Sequence, residues 1–419
     1  MRPQYELADI IRQFSPSMDR KKIPIHHQRT LSALERCRTT ALGGHIDQCD
    51  GCGHLRISYN SCRNRNCPKC QGMNKEMWII QQEDMLLPIA YFHVVFTIPQ
   101  ELNELCLYQS KFMYDLLFRS AWHTLRTFAS DPKWLEAKSA STMVLHTWSQ
   151  TMMLHPHVHC IVPNGGLAKT GNTFKWQFPK RSNGKKQGNF LYPVSAMKKV
   201  YKGYFLSELK KVIENGTLPL PPNFPTGYRY KKWKDQLYGK DWVVYTKKPF
   251  SQKGGVKHVV NYLARYSHRV ALTNHRIKKI ADGEVTFEYK DYKEGGKKKL
   301  MTLKGREFLR RFCLHILPKG FRKIRQYGFL SNSTKAKSLA AARVALGERV
   351  KVLLSRKERK GLAKERLFKD EPREECPCCK KGKMVQRYSW DAAEMRKNKS
   401  PPFPQMKPNK SPLRLDFSL

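Results

Sequence analysis

Residues 155–163 read His-Pro-His-Val-His-Cys-Ile-Val-Pro. Val158, Cys160 and Val162 alternate with His157, His159 and Ile161. That period of two belongs to a buried β-strand, on which alternate side chains share a face. The chain is therefore expected to fold around a strand that presents His157 and His159 side by side. Two imidazoles so placed hold one metal ion once a further ligand arrives from elsewhere; the plainer alternative is a pair of hydrogen-bonded histidines on a partly exposed strand. Thr142–Gln150 reads as the preceding strand, joined by a short turn around Leu154, so the hairpin brings Gln150 or His155 near the pair. Tyr91–Pro99, apolar and β-branched, predicts a central strand that opens the same domain. His93 within it reads as a hydrogen-bonded sheet histidine before it reads as a ligand.

A second feature lies 103 positions after His159. Gly254 and Gly255 precede Val256, Val259, Val260, Leu263 and Ala264, which recur at helical spacing. On such a helix Tyr262 and Tyr266 stand one turn apart, with His258 on the same stripe. Paired tyrosines on a helix commonly just pack. The functional alternative is two phenol nucleophiles presented to a metal held by His157 and His159. A phenol needs such help, because a pKa of about 10 leaves it protonated at neutral pH.

Lysine and arginine number 79 against 34 acidic residues, a formal charge of +45 spread along the whole chain. The partner implied is a polyanion, and nucleic acid fits best. A membrane is not expected, since no run of 18 apolar residues and no signal peptide occurs. Twelve cysteines without a secretion signal suggest reduced thiols and metal ligands, and a cytoplasmic protein acting at the chromosome. Cys49-x-x-Cys52 and Cys67-x-x-Cys70, fourteen residues apart, offer four thiolates for one structural zinc of zinc-ribbon type. Such an ion is worth on the order of 10 kcal/mol to folding of its module. Cys62 and His45 are spare ligands. Arg56, Arg63, Arg65 and Lys69 interleave with the cysteines and are candidates for phosphate contact. Cys376-Pro-Cys378-Cys379 is half a site, either a partial knuckle or one shared with another segment. Phe174–Phe178 beside Lys180 and Arg181 is either a single-strand-binding hairpin or a solvated loop.

These segments, in this order, resemble transposases of the insertion-sequence-91 family, within the HUH (His, hydrophobic, His) single-strand nuclease superfamily. The resemblance rests on the cysteine cluster, His155–Gly166, Tyr262–Ile277 and Leu314–Asn332 (LHILPKGFRKIRQYGFLSN), and covers most of the chain. It implies an α+β fold: a central antiparallel sheet with flanking helices, preceded by a zinc-ribbon-like module. The expected domains are 1–88 (zinc-binding), 89–332 (catalytic) and 333–419 (a basic, helical and partly disordered tail). The resemblance further implies that His157, His159 and a third ligand hold Mg²⁺ or Mn²⁺, with Gln150 the first choice and His155 the second. Tyr262 or Tyr266 would attack the scissile phosphate. Arg265, Arg269 and Lys257 would hold flanking phosphates, and the basic segment Pro318–Arg325 would touch DNA. The implied partner is single-stranded or hairpin DNA at element ends and target DNA, and an oligomer is compatible with it. A plasmid or phage rolling-circle replication initiator would share this chemistry. A non-catalytic zinc-ribbon nucleic-acid binder is the third alternative.

Overall fold

A computed structural model describes residues 3–180, 191–247, 249, 259, 270–369 and 375–398. Two compact units result, and neither is continuous in sequence. One comprises Met1–Ile80, Val270–Ile316 and Arg356–Leu419; the other comprises Gln81–Arg269 and Leu317–Ser355. This division does not follow the consecutive boundaries 1–88, 89–332 and 333–419. The segment after 355 returns to the N-terminal unit because its strand completes a sheet there.

In the second unit five strands form one antiparallel sheet. Their order is Ile324–Gly328, Ala140–Trp148, Leu154–Pro163, Tyr91–Thr97 and Val244–Thr246. The histidine strand, Leu154–Pro163, is the middle one. One sheet face carries Val94, Phe96, Met143, Leu145, Val158 and Cys160, all fully buried. Against it lie the helices Ser110–Ser130 and Val194–Glu214. The first of these buries Met113, Leu117, Ala121, Leu125 and Phe128 at the three-to-four spacing of a helix stripe. From the second, Tyr201 packs on Phe96 at 5.0 Å between ring centroids, and Trp242 closes the cluster against Tyr201 and Phe205. Each such aromatic contributes about 1.5–3 kcal/mol by leaving water. The opposite face carries His93, Val95, Thr97, Thr142, Val144, His146, His157, His159 and Ile161. With one face fixed by its apolar set, the register of the sheet, and hence the polar face, is fixed too.

Phe174–Phe178 does lie on a hairpin, with Gly166–Thr170 paired to Thr173–Gln177. Trp176 is buried against Phe329, while Phe174 and Phe178 are exposed. In the tail expected to be helical, one helix covers Lys335–Ala345. Gly347, at φ +74°, turns the chain in the left-handed conformation that ends helices.

The first unit opens with the helix Leu7–Phe14, whose Glu6 and Asp9 form a capping box. A three-stranded meander, Ile277–Ala281, Glu284–Asp291 and Lys297–Lys304, leads into the helix Gly305–Cys313. Gly305 is required there: a Cβ would stand 2.4 Å from the Phe14 ring. A second sheet orders Met384–Asp391, Gly43–Cys49 and Leu55–Tyr59, all antiparallel. The C-terminal segment, expected to be helical or disordered, thus supplies an edge strand.

Candidate functional site

Three of the four imidazoles on the polar face of the central sheet come together. His146 stands directly across from His157, and the ligand atoms of His146, His157 and His159 all lie within 4.8 Å of one another. The third member of the group is therefore His146, where Gln150 and then His155 were expected. Gln150 falls in the turn beyond the strand Ala140–Trp148. His155 is exposed and contributes its backbone instead.

The cause is a register shift. His157 pairs with His146, but Leu154 pairs with Trp148, so His155 and Pro156 together stand against Thr147 alone. Proline has no N–H for the ladder, which makes Pro156 a natural place for such a bulge. The extra residue moves the pairing by one, and that brings His146, rather than its neighbour Leu145, across from His157. Trp148 then stacks on the His146 ring at 4.7 Å.

Neighbouring groups orient two of the three rings. His157 Nδ1 lies 2.7 Å from the His155 carbonyl oxygen. A carbonyl only accepts, so Nδ1 donates to it, and Nε2 is the atom that would take a ligand. His159 Nδ1 lies 2.9 Å from His93 Nε2, and the two rings stack 12° from parallel. Burial lowers the His93 pKa to about 3, with the charges of Lys247 and His157 adding to the effect. His93 is therefore neutral, and its Nε2 holds the His159 ring at the Nδ1 edge. A ring nitrogen held by an outer partner is the usual support of a metal-binding histidine. Three imidazoles with their ligand atoms turned together fit a divalent transition ion. They suit Mn²⁺ better than Mg²⁺, which prefers oxygen.

Tyr262, Tyr266, Arg265, Arg269 and Lys257 lie outside the described residues. Of the basic segment Pro318–Arg325, Arg325 is engaged internally, in an ion pair with Asp115 and over the ring of Phe118 at 4.3 Å.

In the N-terminal unit the cysteines do not group as Cys49, Cys52, Cys67 and Cys70. Cys67 and Cys70 meet Cys37 and Cys62, whereas Cys49 and Cys52 meet Cys376 and Cys379. Within the first group Cys37 and Cys67 are 3.5 Å apart at sulfur, and Cys62 and Cys70 are 3.7 Å apart. A tetrahedral zinc with Zn–S of about 2.3 Å has an S···S edge of about 3.8 Å, so these sulfurs already sit near the corners of such a site. Hydrogen bonds among these thiols lower Cys37 and raise Cys62 and Cys67 from their usual range, the mark of four sulfurs crowded together. The gap between the two C-x-x-C pairs suggested one site because Cys37, twelve residues before Cys49, lies in no such pair. Among the interleaved cations, Arg56 pairs with Asp47 at 2.9 Å and Lys69 with Glu6 at 2.7 Å. Arg63 is exposed and Arg65 half-buried.

Comparison with known proteins gives the family. A family model described as "Putative transposase" matches residues 141–338, which contain the histidine cluster, and one described as "Transposase zinc-binding domain" matches residues 10–98. The chain is 38% identical over 392 residues to "Putative transposase y4qJ" of Sinorhizobium fredii, covering 91% of this chain and 94% of that one. The chain belongs to the insertion-sequence-91 family of transposases. It is also 28% identical over 309 residues to the transposase for insertion sequence element IS801 of Pseudomonas savastanoi pv. phaseolicola, covering 72% of this chain and 70% of that one. No solved structure matches. As a transposase the protein is a DNA-processing enzyme, and its DNA partner accounts for the +45 charge. The zinc-binding match and the sulfur clusters together support structural zinc. Among the described residues no helix is long and apolar enough to cross a membrane.

Proposed function

We propose that this transposase cuts and rejoins single-stranded DNA at element ends through a 5′-phosphotyrosine link. In this reading Tyr262 and Tyr266 are the nucleophiles, and His146, His157 and His159 are the ligands of a divalent ion. Cys37, Cys62, Cys67 and Cys70 hold structural zinc. The observation that carries the proposal is the convergence of three imidazoles on one face of the central sheet, two of them held at Nδ1 by neighbouring groups. When bound, the ion would polarise a non-bridging oxygen of the scissile phosphate.

The chain's own residues do the rest. The sheet fixes the three rings by its register, and His93 and the His155 carbonyl hold two of them in orientation. A tyrosine brought to that face attacks phosphorus, and a 3′-hydroxyl leaves. The phosphotyrosyl ester retains enough bond energy for a hydroxyl of another strand to reverse the reaction, so joining needs no nucleotide cofactor. Arg265, Arg269 and Lys257 would neutralise flanking phosphates.

The test is a covalent adduct. Full-length protein with Mn²⁺ and a labelled single strand carrying the element's end should give a denaturant-stable protein–DNA species, and chelation should prevent it. Protein that binds the strand but never forms the adduct would point to the non-catalytic alternative.

DNA affinity should also be steeply salt-dependent. With six to ten phosphate contacts, raising salt from 50 to 200 mM is expected to weaken binding by roughly 10³–10⁵-fold. Titration of a fluorescent single strand at several salt concentrations measures the slope, and a slope near zero would contradict a phosphate-dominated interface.

A further inference from the structure

We propose that Cys49, Cys52, Cys376 and Cys379 hold a second structural zinc, which fastens the C-terminal segment to the N-terminal sheet. The four sulfurs lie within 4.8 Å of one another. Cys52 and Cys376 are 3.5 Å apart at sulfur, and Cys49 and Cys379 are 3.7 Å apart. Those separations are far beyond the roughly 2.05 Å of a disulfide. They approach the edge of about 3.8 Å that tetrahedral thiolate zinc requires.

The two pairs are built alike. Cys49-x-x-Cys52 turns so that the Gly51 and Cys52 amides donate to Cys49 Sγ at 3.3 and 3.4 Å. Past Cys379 the chain turns in the same way, so that the Gly382 amide donates to Cys379 Sγ at 3.3 Å. Amides aimed at sulfur stabilise thiolates, the form that binds metal. Each turn closes on its own backbone, Cys49 N–H to His54 O at 2.9 Å and Cys376 N–H to Gly382 O at 2.8 Å. They are then joined to each other. Asp50 N–H donates to Lys383 O at 3.0 Å, and Lys383 N–H donates to Asp50 Oδ1 at 2.7 Å. Gly382 lies so close that a Cβ there would stand 2.4 Å from Cys49 Sγ. These are the two knuckles of a zinc ribbon, supplied by segments more than 300 residues apart.

The sheet beyond the knuckles has the same composition of parts. Met384–Asp391 pairs with Gly43–Cys49 from Cys49↔Met384 to Gly43↔Asp391. Trp390 is buried there with Ile46, Leu55 and Ile57, its ring edge-on to Tyr59. That cluster is small, and small modules commonly need metal to stay folded. The zinc-binding family match ends at residue 98, so Cys376 and Cys379 lie outside it. Cys378, between them in sequence, is exposed and outside the group of four, which makes it an internal control.

Metal analysis by native mass spectrometry of the full-length protein should find at least two zinc ions per chain. Cys376→Ser/Cys379→Ser should retain one fewer ion than wild type, while Cys378→Ser loses none. Unchanged zinc in the double variant, or a single ion in wild type, overturns the proposal. Alkylation mapping of the unmodified protein gives an answer even where the double variant fails to fold. Cys378 should label freely, and Cys376 and Cys379 only after chelation. Equal labelling of all three beforehand, or a Cys52–Cys376 disulfide in non-reducing peptide maps, would equally overturn it.

Discussion

His146→Ala is expected to lower adduct formation at least about 100-fold, as much as His157→Ala or His159→Ala, while Gln150→Ala changes it less than roughly threefold. The expectation follows from the sheet register. His146 pairs directly with His157 and its ring nitrogen belongs to the group of three, whereas Gln150 lies beyond the strand end. Losing an outer partner of a metal-bound histidine typically costs 10–100-fold, and losing a ligand itself should cost at least as much. His93→Ala should accordingly fall in that 10–100-fold range, because it frees the His159 ring without removing a ligand. Two readouts separate metal loss from misfolding: Mn²⁺ affinity by titration calorimetry and thermal stability of the same samples. A His146→Ala protein with wild-type Mn²⁺ affinity and activity would remove His146 from the site. Low activity in Gln150→Ala, together with lost metal, would restore Gln150 as the third ligand.

What the sequence displayed was local. Alternation around Val158 fixed the strand and the shared face of His157 and His159, and the apolar run Tyr91–Thr97 marked its neighbour. Which residue of the preceding strand meets them depends on one bulge. His155 and Pro156 oppose Thr147 alone, a feature that leaves no periodic trace. The available signal was Pro156 itself, a residue without an N–H in the middle of an otherwise regular ladder. The cysteines show the same limit. A C-x-x-C pair announces a knuckle, but nothing in the spacing says which two knuckles face one ion. Cys37 is a solitary residue, and Cys376 and Cys379 pair with Cys49 and Cys52 only because Met384–Asp391 crosses back to the first sheet. Charge composition carried the partner class but not the contacts. Arg56, Lys69 and Arg325 proved to be engaged in internal ion pairs with Asp47, Glu6 and Asp115.

Tyr262→Phe/Tyr266→Phe should abolish the covalent adduct altogether, whereas each single variant should lose complete strand transfer and keep at most one cleavage. Phenylalanine retains the ring and deletes only the hydroxyl, so folding and DNA affinity should stay near wild type. A spacing of four residues is one turn of a helix, which would present both hydroxyls to the same side and to one metal site. Two nucleophiles allow donor and target strands to be cut in turn; one permits only a single covalent link at a time. A phenol with an ordinary pKa of about 10 has too little phenolate at neutral pH to act unaided, so the reaction should need the ion as well as the hydroxyl. Adduct yield in the tyrosine variants should therefore not recover with added Mn²⁺, whereas a variant weakened in metal binding should recover in part. Peptide mapping of the trapped wild-type adduct identifies the linked residue. Tyr245 is the informative rival: it is half exposed and pairs with Val95 on the face that carries His159. Phosphate found on Tyr245, with full activity in the double phenylalanine variant, would move the nucleophile from the tyrosine pair to the sheet edge.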